Sequence, residues 1–110
     1  MDLAQRLIGT WRTDPNDESS LDRFGSVFLR FAEDGSLQHV IEGETKYEIA
    51  LLQYQVDGTE LVTDQPSAPR SERTRFRFAS DNRLLLEHDG YWAAYVRSDD
   101  DLPWESPKGH

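Results

Sequence analysis

The stretch Ser71–Arg97, SERTRFRFASDNRLLLEHDGYWAAYVR, decides the fold. It contains three runs of alternating residues, separated by Asp81-Asn82 and Asp89-Gly90. Thr74, Phe76 and Phe78 alternate with Arg73, Arg75 and Arg77. Leu84, Leu86 and His88 alternate with Arg83, Leu85 and Glu87. Trp92, Ala94 and Val96 alternate with Tyr91, Ala93, Tyr95 and Arg97. Successive strand side chains point to opposite faces, so a period of two marks strands with one face buried and one solvated. Asp-Gly supplies the positive φ that a tight hairpin turn requires. The stretch reads as three antiparallel strands in sequence.

The same grammar runs upstream. Turn signals recur at Asp34-Gly35, Gly43-Glu44 and Asp57-Gly58, and Pro66-Ser67-Ala68-Pro69 marks a looser connection. Residues 14–23, rich in Asp, Asn, Pro and Ser, read as a longer connection. Eight strands are predicted, at about 9–13, 24–33, 36–42, 45–56, 59–64, 71–79, 83–88 and 91–98. A short helix over 2–8 precedes them, with Asp2 and Gln5 forming a capping box and Gly9 ending it. The fourth strand breaks step. Tyr47, Ile49 and Leu51 are apolar at one parity, Leu52, Tyr54 and Val56 at the other. Either a β-bulge near Leu51-Leu52 restores the inward face, or the strand is buried on both faces. The expected class is all-β: an eight-stranded antiparallel up-and-down meander closing into a small barrel, with an open sheet or a two-sheet sandwich as alternatives.

Composition sets outer bounds. The 110 residues make one domain, and no apolar run approaches a membrane-spanning length. Cysteine is absent, which removes disulfides, thiol nucleophiles and cysteine-held metals. The opening Met1–Arg6 lacks the pattern of a secretory leader, so a cytoplasmic home is expected. The formal net charge is −9, a field that repels nucleic-acid phosphates and anionic membranes and favours a basic protein partner. The acidic excess lies in residues 1–69 and in the stretch 99–110, expected to be a tail beyond a barrel domain of residues 1–98.

The ends of the barrel segment carry a family signature. Leu7-Ile8-Gly9-Thr10-Trp11 resembles the opening motif of the lipocalin and fatty-acid-binding-protein superfamily, in which a short helix runs into Gly-x-Trp at the first strand. Arg97, in Tyr95-Val96-Arg97, stands where that superfamily places a basic residue over the tryptophan. The resemblance implies a small lipocalin-like barrel closed at its base by Trp11 and Arg97. It also implies carriage of a small apolar ligand.

Candidate site residues fall into three groups. His39, Tyr47, Phe76, Phe78, His88 and Trp92 are expected to line the barrel interior. With so many large groups the lumen is expected to be packed, leaving room only near Ala94 and Thr74. His39 and His88 are expected to be hydrogen-bonded core or rim residues, because two distant histidines without cysteine or a carboxylate pattern are weak metal ligands. The comb Arg73, Arg75, Arg77 projects from one strand face, as an anion or acidic-partner patch or as a solvated face neutralised by neighbouring glutamates. Asp99, Asp100, Asp101 and Trp104 form either a linear docking motif or a segment folded back on the barrel. No nucleophile elbow and no phosphate loop is present, so no catalytic residue, metal or cofactor is expected. The leading expectation is a non-enzymatic protein-binding module, such as a bacterial immunity protein that covers a basic toxin. The alternative is a lipocalin-like carrier of a small apolar ligand.

Overall fold

The computed structural model describes residues 3–66 and 71–98. Among them, eight strands run in order around a closed barrel, each antiparallel to the next, and the last pairs with the first. They are β1 (Gly9–Thr13), β2 (Val27–Phe31), β3 (Ser36–Glu42), β4 (Tyr47–Asp57), β5 (Glu60–Asp64), β6 (Ser71–Ser80), β7 (Arg83–His88) and β8 (Tyr91–Arg97). Two short helices accompany them, α1 (Leu3–Leu7) before β1 and α2 (Glu18–Phe24) between β1 and β2. Among the described residues no helix is long and apolar enough to cross a membrane.

The turns follow the sequence signals. Asp89 and Gly90 both take positive φ, 52° and 85°, the pairing that matches the twist of a two-residue hairpin. The register then sorts the faces. Trp11, Leu29, His39 and Ala50 lie in one row across β1–β4 and face inward; Arg12, Phe28, Val40 and Ile49 form the next row, of the opposite parity, in which Val40 is fully buried and Ile49 exposed. The core consists of inward residues from every strand, with Trp11, Phe31, Leu84 and, from α1, Leu7 almost wholly enclosed.

The two ends close differently. At the base, α1 docks through Leu7, and the Trp11 indole Nε1 donates to the Leu7 carbonyl at 2.9 Å. Arg97 lies over the Trp11 ring, as the resemblance implies. At the opposite end, α2 packs Phe24 against His88 and Tyr91, with ring centroids 5.0 and 5.7 Å apart. Ser20, also on α2, is fully buried, and its hydroxyl accepts the Ala94 amide at 3.1 Å.

Four expectations are corrected. The second strand begins at Val27, and residues 18–24 form α2 in place of loop and strand. Asp17 caps that helix, its carboxylate accepting the Ser20 amide at 3.1 Å. The fourth strand has neither a bulge at Leu51-Leu52 nor two buried faces, since its ladders to β3 and β5 run without a register shift. Ala50, Leu52, Tyr54 and Val56 hold the inward parity, and Ile49 and Leu51 stand outside, 47% and 62% exposed. The register irregularity falls instead in β6, between Phe78 and Ser80. In β8 the inward face is Tyr91, Ala93, Tyr95 and Arg97, so the expected room near Ala94 is not in the lumen.

Candidate functional site

The lumen divides into a packed lower part and a polar upper part. Below, Phe76 and Phe78 meet edge to face at 6.0 Å, and Phe78 lies 6.0 Å from Trp11. Phe31 and Tyr54 meet edge to face at 5.0 Å, and the Tyr54 hydroxyl donates to the Ala32 carbonyl at 2.8 Å. Leu29, Leu37, Leu61, Leu84 and Leu86 fill the remaining space. This part matches the expectation of a plugged barrel, and Phe76 and Phe78 belong to it as floor.

Above the floor the inward positions turn polar. β3 supplies His39, β4 Ala50 and Leu52, and β5 Thr63, followed by Gln65 and by Glu72 of β6. These six residues line a cleft of about 240 Å³. Register explains their company. His39 is opposite Ala50, and Thr63 is opposite Glu72, so alternate residues of neighbouring strands converge on one enclosure. The His39 pKa is held below its ordinary 6.5, first by burial and then by the nearness of His88. That of His88 is also lowered by burial, against the opposing pull of Asp89 and Glu72. Both imidazoles are therefore neutral at neutral pH, each offering one donor and one acceptor nitrogen.

A second cleft, about 460 Å³, opens beside the first and shares Glu72 with it. Its other lining residues are Arg73, Thr74, Glu87, His88 and Asp89. The β6–β7 ladder runs from Phe76 opposite Leu86 down to Ser80 opposite Arg83. Above that ladder the seam is held by side chains: the Arg75 Nε and Nη2 donate to Glu87 at 2.5 and 2.7 Å.

A lipocalin-like protein from Bacteroides uniformis, known as a crystal structure, shares this architecture with a TM-score of 0.60. Its sequence is 16% identical, and the match covers 84% of this chain and 99% of that one. The fold is a lipocalin-like barrel. No protein-family model and no curated protein matches the chain.

Within the lipocalin-like barrel, the predicted interior residues separate. His39 lines the first cleft and His88 the second, the two clefts sharing Glu72, and Phe76 is buried in the core below. Trp92 is a correction. It faces outward on β8, with the guanidinium carbons of Arg77 and Arg75 4.8 and 5.8 Å from its ring. Tyr47 is a second correction, since it shares the outward parity of Ile49 and Leu51 on β4. The arginine comb is engaged with its own barrel. Arg73 donates to Glu60 at 2.7 Å and to Asp57 at 3.1 Å, and Arg75 grips Glu87. Asp99, Asp100, Asp101 and Trp104 lie outside the described residues.

Sequence reasoning missed Thr63, Gln65, Glu72 and Phe24. For Thr63 and Glu72 the signal was available. Thr63 shares a parity with the buried Leu61, and Glu72 with Phe76. Among the described residues no group of three histidine or carboxylate side chains is placed to hold a metal ion. What the first cleft offers is a recess with an apolar wall of Ala50 and Leu52, one imidazole, a hydroxyl, an amide and a carboxylate at its rim.

Proposed function

We propose that this lipocalin-like barrel is a non-enzymatic binding protein for a small, mostly apolar molecule seated in the upper lumen. The observation that carries the reading is the cleft of about 240 Å³ on inward-facing positions, above a floor already closed by aromatic and leucine side chains. Ligand sites in small barrels are concave, apolar on their walls and marked by a few polar groups that fix orientation. Ala50 and Leu52 supply the wall; His39, Thr63 and Gln65 supply the polar points.

The rival reading, an acidic module covering a basic toxin, has less behind it. The arginine comb, expected separately as a patch for an anion or acidic partner or as a neutralised face, does not bear on a basic toxin: Arg73 and Arg75 are bonded to Asp57, Glu60 and Glu87 of the same barrel. The fold likeness favours a small-ligand container over an inhibitor surface.

Native mass spectrometry of the purified full chain tests the proposal. An added mass of a few hundred daltons or less, lost on gentle activation and absent when Ala50 is replaced by Phe, is the expected result. A spectrum of bare protein, unchanged by short-chain alcohols added in excess, contradicts it.

A further inference from the structure

Resting on that reading, we infer that His39 selects the occupant of the upper lumen: the Nε2 lone pair of its imidazole accepts a hydrogen bond from an uncharged hydroxyl at the end of a short apolar stem. Among the residues lining the first cleft, His39 is the one whose polar atoms fit that role. Ala50 and Leu52 have apolar side chains. Gln65 and Glu72 already have interactions of their own. The Thr63 hydroxyl rotates to donate or to accept, so it holds a polar group without choosing between kinds.

The surroundings of the imidazole leave its lone pair to the ligand. In the register of β2, β3 and β4, His39 stands between Leu29 and Ala50, two side chains that cannot hydrogen-bond it. The residue is half-buried, and no other described residue hydrogen-bonds its ring. Its own backbone carbonyl does pull on the ring. Nδ1 is the ring nitrogen nearer the backbone, so that pull places the proton there and leaves Nε2 bare. A neutral imidazole in this tautomer offers the cleft an acceptor.

The same surroundings set the charge of the group it meets. Burial holds the His39 pKa down, and His88, the other titratable group acting on it, is neutral as well. An ammonium or a carboxylate pressed against the ring would bear the same desolvation cost, with no opposite charge on the ring to offset it. A hydroxyl costs far less to bury, and the bond to Nε2 offsets that cost. The stem then lies along Ala50 and Leu52.

Two isomers decide the matter. Hexan-1-ol and 1-methoxypentane have the same atoms, but only the alcohol can donate. Each is titrated into the full chain at about pH 7.5, above the ordinary imidazole range. Dissociation constants are read from the amide signals of Leu52 and Thr63. The alcohol is expected to bind about threefold or more tighter, the scale of one net hydrogen bond. In His39→Leu the preference should vanish, and a ratio taken within one variant cancels any general change in affinity or stability. The ring-nitrogen signals of His39 in the unaltered chain read the bond without a substitution. Nδ1 is expected to carry the proton, and Nε2 to shift with the alcohol and stay with the ether. Equal or tighter binding of the ether overturns the inference and leaves the small-ligand reading standing. So does a preference that survives His39→Leu, or an Nε2 that carries the proton or ignores the alcohol. If neither isomer moves any lumen amide, both fall.

Discussion

The guanidinium carbon of Arg97 lies 4.3 Å from the centre of the Trp11 ring, at the register position where the last strand meets the first. Arg97 also donates to the carbonyls of Arg6 and Ile8, and at 3.3 Å to that of Asp81. One side chain thus ties α1, the start of β1 and the β6–β7 turn to the closing strand. Trp11→Ala is expected to cost about 3–5 kcal/mol, the range for deleting a buried large aromatic. Arg97→Ala strands several carbonyls, and charged hydrogen bonds put its cost at about 2 kcal/mol. Arg75→Ala, on the exposed face, should lower the melting temperature by clearly less. Thermal unfolding of the three variants checks the order.

The position two before Trp11, held by Gly9, favours glycine. Its φ is +126°, and a Cβ there would come within 2.9 Å of the Arg97 guanidinium. Gly9→Ala therefore strains the backbone and pushes Arg97 off its seat, for a loss of more than about 1 kcal/mol. In a double variant with Arg97→Ala the two costs should be less than additive, because the collision has been removed. Denaturant melts of the four proteins measure the coupling.

A buried carboxylate fastens the other side of β1. Asp14, 4% exposed, meets the Arg83 guanidinium and also accepts the Asn16 amide at 2.9 Å. Arg83→Ala leaves that carboxylate without its cation. A loss of about 2 kcal/mol is expected, partly recovered when Asp14 is changed to Asn as well.

The lumen histidines predict a pH dependence. The folded pKa values of His39 and His88 are below the ordinary 6.5, so between those values and 6.5 the unfolded chain binds more protons. Stability then rises with pH in that window. The contribution is complete above about pH 6.5 and is lost as the pH falls through the folded values. The melting temperature should drop on acidification from pH 7 toward 5, with a shallower slope in His39→Gln.

Much of the architecture was legible because strands and turns wrote it in separate codes. Asp57-Gly58 and Asp89-Gly90 fixed hairpins locally, and Leu37 or Phe76 showed the inward parity without help from distant residues. Where both parities are apolar the code is silent. In β8, Tyr91, Ala93 and Tyr95 compete with Trp92, Ala94 and Val96; the arginines of β6 decide the matter by covering Trp92 outside. Arg97 held a clue, since a residue stacked on the inward Trp11 puts its own parity inside. In β4, Ile49 and Leu51 are simply left exposed, an outcome no periodicity argument reaches. The helix α2 carries its signal in Asp17 followed by Leu21 and Phe24, but it is short and polar enough to pass for loop. The histidine pair was legible as two inward residues. Their placement in two clefts that share Glu72 depended on the register of the five strands β3–β7.

Backbone amide shifts on titration with hexan-1-ol test the central claim, that the upper lumen is the binding site. The largest changes are expected at His39, Leu52 and Thr63, and they should vanish in Ala50→Phe, which fills the cleft while keeping the barrel. Shifts centred on the outward Ile49 and Leu51, or shifts that persist unchanged in Ala50→Phe, would contradict it.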